Sequence, residues 1–294
     1  MFLVGLLYFI CATTFTISKA ALAYVSPLFF TGTRMVSAGI LLLGYELHYK
    51  QRIIIPRHHW YLFVQIIFFY IYCAYVLDIL ALAHLTSAKA CLLYDLTPFI
   101  SALFSYLWFA EMMTLKKWLG LLIGCLGFVP MFLNNTDFGH LTISWPEITM
   151  LGAIISSAYG WILIRQLVKE HEYSSIMVNG VGMLGGGLLA LLTSLVVEGW
   201  SPLPVQEFVP FIYYTLLIII VSNIIFSNLY TVLLKRYTVT LLSFAGFTAP
   251  LFAALLGWVF LNEKVSWDFF ITTFFVLIGL YIFYQEELKQ GYIA

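Results

Sequence analysis

Apolar residues run along this chain in long blocks separated by short polar punctuation. A helix needs roughly 20 mostly apolar residues to cross a bilayer. On that measure the pattern predicts ten spans, at 2–24, 27–47, 59–83, 86–109, 116–133, 147–165, 174–197, 208–234, 239–261 and 267–285. One connection is long, NNTDFGHLTISWP over 134–146. It reads as an extracytoplasmic linker between a first five-helix half (1–133) and a second (147–294). The N-terminal stretch MFLVGLLYFICATTF has no basic region before its apolar run, so it is expected to be the first span rather than a cleaved leader.

Cations set the expected orientation, because Lys and Arg gather in cytoplasmic loops. With both termini cytoplasmic, the inside segments hold Lys50, Arg52, Arg57, Lys116, Lys117, Arg165, Lys169, Lys235, Arg236 and Lys289. The outside loops hold Lys264, while Lys19, Arg34 and Lys89 fall within spans.

The two halves also resemble each other. A shift of 152 residues lays Thr86, Pro98, Leu103, Glu111 and Gly127 over Thr238, Pro250, Leu255, Glu263 and Gly279. Near the start of each half, SPLFFTGTRM (26–35) reads like SSIMVNGVGM (174–183), with Gly32 over Gly180 and Met35 over Met183. An odd number of spans per copy makes the second enter the membrane from the opposite side. The expected fold is therefore all-α and integral to the membrane, ten transmembrane helices as two inverted repeats. That is an architecture of transporters that alternate access around a midplane site.

Composition agrees. The chain is 62% hydrophobic and 10% charged, with a mean hydropathy of +0.97, whereas soluble domains carry about 25% charged residues. A formal net charge of zero gives no electrostatic case for nucleic acid. Cys11, Cys73, Cys91 and Cys125 stand singly in apolar runs, without the spacing of a metal site or a disulfide framework. No nucleotide-binding motif is present, so no cofactor is expected, and coupling must be exchange, an ion gradient or facilitation.

TSAKACLLYDLTPFISALFSYLWFAEMMT (86–114) and TVTLLSFAGFTAPLFAALLGWVFLNEKVS (238–266) resemble the fourth and ninth helices of the EamA-type drug/metabolite transporter superfamily. The resemblance extends to span number and duplicated halves. It implies a Pro inside each of these helices, Pro98 and Pro250, and a Glu near the end of each, Glu111 and Glu263. Five charges within the first-half spans depart from the commoner pattern and suggest a charged substrate. The S-adenosylmethionine carriers of obligate intracellular bacteria are a branch with that specialisation, and the chain resembles them; an amino-acid or drug exporter is the alternative. A monomer or homodimer is expected.

Intramembrane charges mark functional sites by default. At about 1.5 Å per residue, Arg34 lies roughly 10 Å inside the second span and Asp78 roughly 8 to 9 Å inside the third. Lys19 and Lys89 come out about 5 to 8 Å deep by the same rise, where they either snorkel outward or meet the substrate. Arg34 or Lys89 could instead neutralise Asp78. Asp95 lies nearer the midplane, without a cation three or four residues away. It borders a stripe of Ser87, Cys91, Tyr94, Pro98, Ser101, Ser105 and Trp108, the kind of face that meets a cavity or another helix. Its second-half counterpart is Ser243, Gly246, Pro250, Ala253 and Gly257.

Tyr72, Tyr75 and Tyr94 share helices with the acids and suit a cation or a flat ring. Trp161, Asn179, Asn223, Asn228 and Tyr230 are the second-half candidates. Arg34 suits a carboxylate, and Asp78 or Asp95 an ammonium or sulfonium. Glu111 and Glu263 precede Thr114 and Ser266, hydroxyls expected to cap the next helix; gating is the other role open to the two acids. Gly182, Gly185, Gly186 and Gly187 are expected to admit a close neighbouring helix. A membrane enzyme would need polar residues clustered at one interface, and the linker offers only Asp137 and His140.

Overall fold

The computed structural model describes residues 2–50, 55–85, 90, 93–127, 144–249, 251–252 and 267–292. The apolar blocks are helical, because a backbone in lipid must satisfy its hydrogen bonds within its own segment. Helix α1 is Phe2–Ala21 and α2 is Pro27–Lys50. Helix α3 is composite, Trp60–Gln65, a π-helical stretch Ile66–Cys73, then Ala74–His84. Next come α4, Thr97–Phe109; α5, Leu115–Leu126; α6, Trp145–Arg165 with a π turn at Gln166–Glu170; and α7, Ser175–Val197. Helix α8 repeats the composite form as Phe208–Ile218, a π stretch Ile219–Phe226, and Ser227–Leu233. Helix α9 runs Val239–Ala245 into a 3₁₀ turn, Gly246–Thr248, and α10 is Trp267–Lys289.

Among the described residues, six helices are long and apolar enough to cross a membrane: Leu3–Ala21, Pro27–Tyr49, Arg57–His84, Trp145–Glu170, Ser175–Val197 and Phe208–Leu233. Thr97–Phe109 and Val239–Thr248 are shorter apolar helices. Extended structure among the described residues is a single antiparallel bridge, Val25 with Val205, which ties the α1–α2 turn to the α7–α8 connection.

The most extensive pairing joins α2 to α7, and small residues let the two backbones meet. A Cβ added at Gly39 would fall 2.6 Å from the Leu184 nitrogen, and one at Gly187 would fall 2.7 Å from the Val36 nitrogen. Likewise a Cβ at Gly32 would meet the Leu191 side chain at 2.6 Å, and one at Gly180 the Leu43 side chain at 2.9 Å. In each couple the second contact is the first with both partners moved by 148 residues. The helices therefore touch isologously, as elements related by a two-fold axis do. The π stretches of α3 and α8 also correspond, eight residues each and 153 residues apart.

The fourth span differs from its expected form. It is not a continuous helix: residues 93–94 are helical, Asp95 and Leu96 form a turn, and α4 starts at Thr97. Pro98 therefore stands in the first turn of α4, where its missing N–H costs no hydrogen bond, rather than kinking a helix interior. The small-and-polar stripe survives below the break, with Pro98, Ser101 and Ser105 buried and Trp108 exposed. Ser101 and Ser243 join α4 to α9 through hydroxyls 2.9 Å apart.

Several polar side chains cap helix ends. Glu198 accepts from the backbone nitrogens of Leu28 (2.7 Å) and Phe29 (2.9 Å), capping α2. At the opposite end Ser174, the N-cap of α7, donates to Glu46 at 3.2 Å. Thr114 caps α5 as expected, accepting from the Lys117 nitrogen at 3.4 Å.

Candidate functional site

A cavity of about 130 Å³ lies among α1, α2, α3, α6, α8, the break before α4 and the 3₁₀ turn of α9. Its charged lining residues are Arg34, Asp78 and Asp95. The guanidinium of Arg34, 2% exposed, lies 5.2 Å from the Phe30 ring centre and 5.5 Å from that of Tyr75. It is within electrostatic reach of Asp78 and Tyr94. It makes no direct ion pair with Asp78; the ion pairs among the described residues are Lys117–Glu287 and Arg165–Glu111. The Arg34 Nε, one oxygen of Asp78 and one of Asp95 are enclosed without a hydrogen-bond partner. Such groups are costly in a low-dielectric interior, so this cavity holds unmet capacity for both signs of charge.

The other wall is aromatic. Trp161 stacks on Tyr230 with centroids 3.7 Å apart and planes 27° apart, and Tyr70 meets Trp161 edge-on at 4.7 Å. Tyr94 packs against Phe15 at 5.4 Å, and the Tyr8 hydroxyl donates to the Leu242 carbonyl at 2.5 Å. Both helix interruptions open onto this space, one supplying Asp95 and the other Gly246. Discontinuous helices beside a cavity free backbone groups and are a recurrent device of transporter sites.

Arg34, Tyr75, Asp78, Tyr94, Asp95 and Trp161 thus come together. Other candidates lie elsewhere. Lys19 is outside the cavity, its ammonium donating to the carbonyls of Leu82 (2.6 Å), Ala83 (3.1 Å) and Leu85 (2.9 Å) and so capping the end of α3. A cation there matches the negative end of the helix dipole. Asn179 is also outside; its amide donates to Asn228 (3.0 Å) and Thr231 (3.1 Å), cross-linking α7 to α8. The Asn228 amide returns to the Ile224 carbonyl at 2.8 Å. Asn223 is buried between Met35 and Met183, its amide 3.0 and 3.9 Å from their sulfurs.

Glu111 pairs with Arg165 at 2.5 Å, lies outside the cavity and is within electrostatic reach of Glu287. Gly182, Gly185, Gly186 and Gly187 meet α3 and α2 closely, as expected. Thr86, Ser87, Lys89, Cys91, Asp137, His140, Pro250, Ala253, Gly257, Glu263 and Ser266 fall outside the described residues.

Sequence reasoning passed over the α1 contribution of Tyr8, Cys11, Thr14, Phe15 and Ser18. The signal was present as a polar and small face recurring at helical spacing within an apolar run.

The EamA-like transporter family matches over residues 1–133 and 144–285, and the chain belongs to it: it is a multi-pass membrane transporter of a small molecule.

Among curated proteins, the chain is 36% identical over 299 residues to the S-adenosylmethionine/S-adenosylhomocysteine transporter of Chlamydia muridarum (strain MoPn / Nigg), covering 100% of this chain and 94% of that protein. It is 34% identical over 298 residues to the protein of the same name from Chlamydia trachomatis serovar L2, covering 100% and 91%. A solved crystal structure shares the fold with a TM-score of 0.70 at 19% identity, covering 95% of this chain and 97% of its own.

Proposed function

We propose that this protein carries S-adenosylmethionine across the membrane by alternating access, in exchange for S-adenosylhomocysteine. The observation that carries the reading is full-length similarity above one-third identity to two transporters of that name. The cavity supports it. The substrate combines a carboxylate, an ammonium, a sulfonium and a flat purine. The lining offers Arg34, two carboxylates and the Trp161–Tyr230 stack.

In this reading ten spans form two inverted five-helix repeats, 1–133 and 147–294, joined by an extracytoplasmic linker at 134–146. Support comes from the reciprocal α2–α7 contacts and the matched π stretches. The remaining pairings agree. Helix α3 packs on α6 as α8 packs on α1, while α4 pairs with α9 and α5 with α10, as counterparts across a two-fold axis would. The membrane is a bacterial inner membrane with both termini cytoplasmic, the orientation that the Lys and Arg distribution favours. The Glu111–Arg165 and Lys117–Glu287 pairs then close the cytoplasmic end and must part for release on that side.

Proteoliposomes loaded with unlabelled S-adenosylhomocysteine test the function. Saturable uptake of labelled S-adenosylmethionine, accelerated by the internal load, is the expected result. Uptake no faster than in protein-free liposomes would refute it.

A further inference from the structure

The two carboxylates of the cavity have different surroundings. Arg34, Tyr75, Asp78 and Tyr94 form one cluster in mutual electrostatic reach. It presents one cation and one anion. Asp95 comes to the cavity from the α4 break, and its carboxylate is in neither of the ion pairs found among the described residues. Cys11 and both carboxylates line the same cavity, so the two anionic positions border one continuous space.

Charge matching then assigns the substrate's parts. An α-amino acid group brings one carboxylate and one ammonium, which the Arg34–Asp78 cluster pairs completely. That leaves the Asp95 carboxylate, with one oxygen enclosed and unpartnered, facing whatever the amino-acid side chain carries. In S-adenosylmethionine this is a sulfonium, two methylene groups from the α-carbon. In S-adenosylhomocysteine it is a neutral thioether, which leaves the carboxylate uncompensated.

We propose that Asp95 is the specificity-determining residue that distinguishes the sulfonium from the thioether, whereas Arg34 and Asp78 bind the amino-acid group common to both. This rests on the substrate reading above. It gives exchange a direction of preference, because the methyl donor binds more tightly than its spent product at the same site.

The test is equilibrium competition on the purified full-length protein in nanodiscs, with three unlabelled ligands. These are S-adenosylmethionine, S-adenosylhomocysteine, and sinefungin, which carries an amine-bearing carbon where the sulfonium sits. In Asp95→Asn the ratio of S-adenosylmethionine to S-adenosylhomocysteine affinity falls by about tenfold to a hundredfold, the range of a hydrogen-bonded or paired buried charge. Sinefungin falls with S-adenosylmethionine. Asp78→Asn weakens all three together and leaves the ratio within threefold.

Asp95→Glu, which keeps the charge, retains the preference, and it decides the matter if the Asn variant fails to fold. Equal weakening of both ligands by Asp95→Asn, an unchanged ratio, or loss of preference in Asp95→Glu overturns the assignment. If the wild-type protein binds neither ligand, the substrate reading fails instead.

Discussion

Lys117 and Glu287 offer the sharpest test of how this fold is held. Lys117 leaves α5 and Glu287 leaves α10, their charged atoms 3.0 Å apart and their side chains 2% and 0% exposed. The Thr238 hydroxyl lies 2.9 and 2.6 Å from the two Glu287 oxygens while accepting from the Leu241 nitrogen at 3.0 Å as the N-cap of α9. The ammonium also faces the rings of Phe283 (5.4 Å) and Tyr292 (4.6 Å). One ion pair therefore joins three helices at one end of the bundle.

Lys117→Met removes the cation and strands a carboxylate in a dry site, which costs about 3–5 kcal/mol. For a chain of this size that corresponds to a melting drop on the order of 10 °C. Glu287→Met strands the ammonium instead, but the two ring faces retain about 1–2 kcal/mol of its stabilisation, so it costs less. The double variant replaces the pair by apolar side chains and recovers most of the loss, because neither charge is left alone. Thermal unfolding of the four proteins in the same detergent closes the cycle, and the expected coupling is about 2–4 kcal/mol. If Lys117→Met melts within 2 °C of wild type, or the double variant is no more stable than the worse single, the pair is not the clasp described here.

Two further variants separate scaffold from site. A Cβ at Gly160 would lie 2.4 Å from the Tyr70 Cβ. Gly160→Ala therefore costs about 1–3 kcal/mol in overpacking and shifts Tyr70 off Trp161, seen as a lower melting point together with a raised transport KM; an unchanged KM would mean that Tyr70 does not shape the site. Asn179→Ala leaves Asn228 and Thr231 without their α7 donor and costs about 1–3 kcal/mol with KM within twofold of wild type, because Asn179 lies outside the cavity; a large KM change would place it in the binding path.

Hydropathy made the helical blocks legible, and Gly182, Gly185, Gly186 and Gly187 marked a close helix neighbour, because lipid imposes those patterns directly. The roles of the charges were less legible. Lys19 and Arg34 look alike in sequence, yet one finds three carbonyls at a helix end and the other two aromatic rings. Those partners lie on other helices, at separations no local pattern records. The break at Asp95 was missed for a different reason. In LLYDLTP the Pro reads as lying inside a helix, yet the same residue serves equally in the first turn of a new one.

That break also bears on how a symmetric scaffold handles an asymmetric substrate. At the 152-residue shift Asp95 falls opposite Phe247, within the 3₁₀ turn of α9 and fully buried in the core. Both copies interrupt their helix at the same place, but only one puts a charge there, and Arg34 and Asp78 also belong to the first half. On the inverted-repeat reading, exchanging the conformations of the halves reverses access while the recognition groups stay on one of them. On the proposed substrate reading, its cationic and zwitterionic parts then stay with the first half throughout the cycle. The second half, through Trp161 and Tyr230, presents an aromatic face past which the purine of the proposed substrate can slide without breaking an ion pair. Separating a buried pair costs several kcal/mol, whereas shifting a stacked ring costs about 0.5–1.5 kcal/mol. That difference favours a cycle in which charge recognition is confined to one half.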